Sequence, residues 1–182
     1  MEHVSLVELE AGMDFVHRSP HDKGTLEMIV QRPQENAREV CDAGELSLDD
    51  GLVGDNWKPR GSKAMPDSSA HPDRQITIMN SRLIGLLARD RKYWPLAGDQ
   101  LYVDLDLSAG NLPPGTRLSI GSAVIEVTAS PHTGCSKFSA RFGAEALRFI
   151  SVPERKELHL RGIYAKVVQP GVIRVGDLVR KN

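Results

Sequence analysis

The chain has 182 residues, 40% of them hydrophobic, and a formal charge of −1 from 23 basic and 24 acidic residues. A chain of this length and composition can bury a substantial core, so disorder, collagen and coiled coil are poor readings. The near-zero charge makes no global electrostatic case for nucleic acid or an anionic membrane, and at 5% aromatics the stacking platforms of single-strand binders are not expected.

In chain order, Val4 to Leu9 alternates and reads as a strand, followed by turn chemistry at Ser19 to Gly24. Thr25 to Gln31 is a second strand, stopped by Pro33. Ala37 to Ala43 reads as a strand or a short helix, and Leu48 to Asp55 is rich in turn residues. Residues 56–74 form a long loop punctuated by Pro59, Gly61, Pro66 and Pro72, with Lys58, Arg60 and Lys63 in its first half. Irregular segments of that length in compact domains are usually functional or disordered. Gln75 to Met79 is a strand, and Asn80 is placed to cap a helix from Ser81 to about Arg91.

The second half is strongly β. Leu101 to Leu107 alternates, and Thr116 to Ile120 and Ala123 to Ala129 flank Gly121-Ser122 as a hairpin. Ser136 to Phe149 reads as one or two short helices, and Pro153 opens another over Glu154 to Leu158. Gly162 to Gln169, Val172 to Arg174 and Asp177 to Arg180 complete the strands. Many short strands with few helices predict a mainly β fold closed, or nearly closed, into a barrel, since closure removes sheet edges. Residues 1–182 are read as a single domain.

No apolar run reaches the roughly 18 residues of a membrane span, and the acidic N-terminus does not resemble a secretory signal. Two cysteines, Cys41 and Cys135, make neither a disulfide scaffold nor a four-thiolate zinc site. The expected setting is the cytoplasm.

The densest chemical signal is Pro131-His132-Thr133-Gly134-Cys135-Ser136-Lys137, running on to Arg141 and Gly143. It follows a strand, which places the thiol in a loop. Lys137, Arg141 and a helix opening near Ser136 would favour the thiolate, able to attack an electrophile, carry a persulfide or bind a soft metal. The bland alternative is an inert buried thiol. Cys41, between Glu39 and Asp42, reads as structural. His132 and Cys135 make only half a zinc site, and Pro20 between His17 and His21 argues against a metal-binding helix, so zinc is not expected; with neither a glycine-rich dinucleotide fingerprint nor a P-loop, no nucleotide is expected either. His71 reads equally as a loop residue. Asp55, Asp73 and Arg74 bracket the long loop, as turn formers or, for Arg74, as a bidentate anion ligand. Arg161-Gly162 and Gly176-Asp177 read as turns and barrel corners.

Taken together these stretches resemble the MOSC family, named for the molybdenum-cofactor sulfurase C-terminal domain. Pro131 to Gly143 is similar to its cysteine signature. Gly51 to Asp55, Asp73 to Ile78, Leu112 to Gly121, Arg161 to Ala165 and Gly171 to Asp177 fall in the family's order, over roughly residues 24–179. The resemblance implies a barrel of the pyruvate-kinase-barrel type and a role in molybdenum-cofactor or sulfur chemistry. It implies Cys135 as sulfur carrier or molybdenum ligand, and Arg74, His132, Thr133, Lys137, Arg141 and Asp55 as cofactor-binding candidates for molybdopterin. A sulfur transferase, or a component of a molybdenum-cofactor-dependent oxidoreductase, fits that role. A cysteine desulfurase as sulfur donor, or a molybdoenzyme, would be the partner. Gly98-Asp99-Gln100 departs from the family's Gly-Glu-Asn. The residues also allow a non-catalytic barrel that binds an anion or partner, and a cysteine-dependent hydrolase or transferase. On any anion-binding reading, the loop 56–73 and the two basic clusters should meet Cys135 at one barrel mouth.

Overall fold

The computed structural model describes residues 2–182. It opens with a helix, α1 (Leu6–His17), where the alternation of Val4 to Leu9 predicts a strand. Ser5 accepts from the Glu8 amide while Glu8 reaches back to the Ser5 amide, a closed capping box. Leu9, Met13 and Val16 then recur at helical spacing and are buried. A six-residue window is too short to separate that period from a period of two.

The strands are β1 (Lys23–Gln31), β2 (Glu39–Cys41), β3 (Ala43–Ser47), β4 (Gly51–Leu52), β5 (Ile76–Asn80) and β6 (Leu101–Asp104), then β7 (Arg117–Ile120), β8 (Ala123–Val127), β9 (Ile163–Gln169), β10 (Gly171–Arg174) and β11 (Leu178–Lys181). Pairing runs β11-β7-β8-β9-β5-β6-β1, and β1 pairs back with β11 through Gly24 and Val179, closing the barrel. A single helical turn, α2 (Trp57–Arg60), lies in the long loop before β5. Among the described residues only β5 and β6 of the barrel run parallel, so they need the crossover supplied by α3 (Ser81–Ala88) and a 3₁₀ segment (Arg91–Ala97). The expected closed β-barrel is what the chain forms. The undecided stretch 37–43 resolves into β2 and the start of β3, and β3, β4 and β10 make a small second sheet.

Two apolar layers hold this together. Leu26, Ile29, Ile78, Val103, Leu118, Ile125 and their neighbours fill the barrel. A bulge between Leu26 and Met28 lets both Leu26 and Ile29 face inward. Met28, Val30, Met79 and Tyr102 point outward under the helices, against Leu9, Leu83, Phe138 and Phe149. β5 is therefore buried on both faces, which explains its unbroken apolar run. Asn80 caps α3 as read, accepting from Leu83. The stretch 136–149 is two helices, α4 (Ser136–Phe142) and α5 (Ala144–Ser151), broken at Gly143. Among the described residues no helix is long and apolar enough to cross a membrane.

Candidate functional site

A cavity of about 410 Å³ opens where the loop 56–74, the start of α4 and the loop after β1 converge. Among the described residues six arginines, two lysines and two histidines line it, and no carboxylate does. Such a wall costs Coulomb repulsion unless each cation is braced or an anion enters.

The brace is one stretch of backbone. Four arginines bond four successive carbonyls at the end of the 3₁₀ segment. Arg38 Nε donates to Pro95 at 3.2 Å, Arg141 Nη1 to Leu96 at 2.8 Å, Arg161 Nη2 to Ala97 at 3.0 Å and Arg32 Nη1 to Gly98 at 2.9 Å. Helix-type segments end in unsatisfied carbonyls with partial negative charge, which cations satisfy. Gly98, left-handed at φ 88°, ends the segment.

Two carboxylates stand behind this wall. Asp55 takes Arg32 bidentately, Nε and Nη2 both at 2.8 Å, and also caps the Trp57 amide. It is thus a brace for a lining residue, and the cavity wall does not include it. Asp99, fully buried, takes Arg161 Nη1 at 2.7 Å and lies 3.7 Å from His132 Nε2. Gln100 instead serves the sheet, accepting from the Thr77 amide. Burial, then the charges of Arg161, Arg32 and Arg74, hold the His132 imidazole well below the usual histidine range, so it is neutral at pH 7. Its ring packs on Tyr164 with centroids 4.4 Å apart, and Arg74 lies over the same tyrosine at 5.8 Å. Arg74 Nε is fixed by Ser130 Oγ at 2.8 Å.

Cys135 is exposed on the cavity wall at the N-cap of α4. Thr133, His132, Lys137 and Arg141 line the same cavity, as does Arg74. The Lys137 ammonium pairs with Glu35 at 2.6 Å. Arg141 is tied to Leu96, as above. The long loop contributes Trp57, Arg60, Ser62, Lys63 and His71, so it borders the same cavity as Cys135. Lys58 turns away to Asp50. His21 pairs with Asp106 on the surface, and Cys41 packs partly against the barrel core. Among the described residues no group of three His, Cys, Asp or Glu could hold a metal ion.

Arg32, Arg38, Trp57 and Tyr164 are the site residues that sequence reasoning misses. It also misplaces Arg161: Gly162 does turn the chain, at φ 101°, but the arginine beside it reaches inward to Asp99. An arginine followed by glycine at a strand start looks the same whether its side chain faces water or the core.

The protein is thus a closed, strand-rich barrel with a cationic cavity and an exposed thiol on the cavity wall. The chain belongs to the MOSC domain family, whose model matches residues 67–180, a family associated with molybdenum-cofactor binding. Among solved structures it is similar to the YuaD protein of Bacillus subtilis, at 18% identity over 86% of this chain and 94% of that one, with a TM-score of 0.62. It is also similar to YiiM of Escherichia coli, at 18% identity over 87% of this chain and 69% of that one, with a TM-score of 0.54. At these identities the likeness is one of fold. No curated protein shows significant similarity to the chain.

Proposed function

We propose that this protein binds a molybdenum cofactor or a closely related anionic ligand in the arginine cavity, with Cys135 as its sulfur carrier or metal ligand. The observation that carries this reading is a wall of eight cationic side chains without a carboxylate, sharing one cavity with an exposed thiol. The donor set fits such a group. Arg74, Lys137 and Arg141 would hold its phosphate, with His132 and Thr133 beside it, and Asp55 acting through Arg32. Cys135 offers a single soft donor, and the bound cofactor would supply redox chemistry there.

As a sulfur carrier, the Cys135 thiolate attacks the terminal sulfur of a donor persulfide. The new S–S bond forms on Cys135 as the donor's cysteine leaves as thiolate. A cysteine desulfurase is the proposed donor and a molybdoenzyme the proposed recipient, in the cytoplasm. A hydrolase would need a base at the thiol, whereas the Cys135 side chain makes no cap hydrogen bond at its helix and the neutral His132 packs on Tyr164.

The test is mass spectrometry of protein purified from a molybdenum-replete host. A bound pterin, or an adduct of about 32 Da on Cys135, one sulfur, supports the reading. Acylation of Cys135 by activated esters with neither of these would overturn it.

A further inference from the structure

We propose that a small sulfane-sulfur oxoanion of the thiosulfate class enters the arginine cavity and charges Cys135 directly. The inference rests on the reading of Cys135 as a sulfur carrier and adds a small-molecule donor to the persulfide of a partner protein.

The first observation is a set of unpaired hydrogen-bonding atoms. Trp57, His132 and Arg161 line the cavity, and each side chain is more than nine-tenths buried. Among the described residues Trp57 Nε1, His132 Nδ1 and Arg161 Nε have no hydrogen-bond partner. Buried polar atoms are paired as a rule, so three orphans around one cavity mark a polar occupant. Indole and guanidinium nitrogens only donate. The wall they belong to carries six arginines, two lysines and, among the described residues, no carboxylate. The occupant that answers such a wall is an oxygen-rich anion.

The second observation is what accompanies the thiol. Cys135 is exposed on the same wall, at the N-cap of α4, without a side-chain cap bond. The cavity's two histidines are poor proton carriers. His132 is held neutral by burial and the neighbouring arginines and packs on Tyr164, and His71 Nδ1 accepts from the Asp73 amide. Acyl and phosphoryl transfers need a proton given to the leaving group or taken from water. Sulfane-sulfur transfer needs none, because the attacking and leaving groups are both stable anions.

In the step itself the Cys135 thiolate attacks the outer sulfur of thiosulfate. A new S–S bond forms on Cys135, the donor's S–S bond breaks, and its electron pair leaves on sulfite. Cys135 ends as a persulfide anion, and sulfite carries off the charge that thiosulfate brought. No oxidant, reductant or proton is consumed. The obstacle is the approach of one anion to another, and a cationic wall offsets that repulsion. Arg74, fixed through Nε by Ser130, and Arg141, tied to the Leu96 carbonyl, hold the sulfonate oxygens and then the departing sulfite.

The experiment incubates reduced, sulfur-free protein with thiosulfate and follows sulfite release and intact mass. The wild type should release about one sulfite per chain and gain about 32 Da on Cys135, one sulfur. Cys135→Ser should do neither. Methyl methanethiosulfonate, a neutral reagent that exchanges sulfur at the same thiol, separates anion recognition from access. Arg74→Gln and Arg141→Gln should slow thiosulfate loading at least about tenfold, the loss of a charge-assisted hydrogen bond, and change the neutral reagent's rate less than about threefold. Arg60→Gln, in the long loop, replaces either variant that misfolds by circular dichroism. Arg148→Ala, exposed on α5 and outside the cavity, should load like wild type. Equal slowing with both reagents would overturn the inference, since the arginines would then act on the thiol and not on the oxoanion. So would a wild type that takes the neutral reagent and releases no sulfite. If that same protein carries a persulfide or a pterin when purified, the carrier reading stands without this donor.

Discussion

Arg161 and Asp99 are locked together beneath the cavity, Nη1 to Oδ2 at 2.7 Å, with the arginine side chain 9% exposed and the aspartate fully buried. A pair so enclosed adds little stability by itself, but losing one partner strands a charge. Asp99→Ala should therefore cost about 3–5 kcal/mol in urea unfolding. The double variant Asp99→Leu, Arg161→Met should recover most of that loss and still bind anions more weakly than wild type. Equal stability of the single and double variants would show that the pair's charges are not what matters.

The neutral His132 makes stability depend on pH. Its folded value lies below the ordinary 6.5 because burial and the Arg161, Arg32 and Arg74 charges oppose the proton. Below pH 6.5 the unfolded chain takes up a proton that the folded chain refuses. The stability this group contributes is complete above that pH and is lost as pH falls toward the folded value, by at most about 1.4 kcal/mol per unit. The substitution His132→Asn should flatten the urea-midpoint profile between pH 6.5 and 5. Parallel profiles for this variant and wild type would mean that the folded imidazole titrates normally. The slope, not the level, is the readout, because Asp99 and Tyr164 face the same ring.

What could be read from the sequence was what is local. The Gly121-Ser122 turn, with Gly121 at φ 55°, joins β7 to β8 in register from Ile120 and Ala123 outward. Asn80 caps its helix three residues on. The cysteine, the long loop and Arg74 were legible because each lies in a contiguous motif. The arginine wall was not. Four of its six arginines come from positions 32, 38, 141 and 161, and meet only because four carbonyls at 95–98 gather them. No spacing along the chain encodes a meeting that the barrel's closure creates.

Cys135 is exposed and Cys41 is partly packed against the barrel core. Iodoacetamide at pH 7 should therefore label Cys135 first, with access the main cause. Cys135 holds the N-cap position of α4 in extended backbone and makes no side-chain cap bond. Serine is among the preferred caps, so Cys135→Ser should leave stability unchanged or raise it by up to about 1 kcal/mol while abolishing sulfur loading. A marked loss of stability, or labelling of Cys41 first, would count against a functional thiol.

Anions should raise the melting temperature, because a ligand that binds only the folded state stabilises it, by about 2.7 kcal/mol at a hundred times its Kd. Arg74→Ala and Arg141→Ala should each shrink the shift given by phosphate or sulfate. Arg89→Ala should not, since Arg89 pairs with Glu8 away from the cavity. An equal reduction in all three would reduce the effect to general charge screening.

Gly61 decides whether the long loop can reach the cavity. Its backbone, at φ 65° and ψ −166°, lies in a region that side chains avoid. An added Cβ would stand 2.1 Å from the Ser68 carbonyl oxygen, the same oxygen that accepts from the Ser62 amide and closes the loop. Gly61→Ala must therefore open that closure, and the strain itself is on the order of 1–3 kcal/mol. The loop carries Arg60, Lys63 and His71 to the cavity wall, while the barrel core lies elsewhere, in Leu26, Ile78, Val103 and their neighbours. The strain should be relieved by the loop moving rather than by the barrel unfolding. The variant should keep a melting temperature close to wild type without ligand, and lose most of the anion-induced increase. A variant that melts far lower but keeps the full anion shift would place the loop's importance in the fold and not in the site.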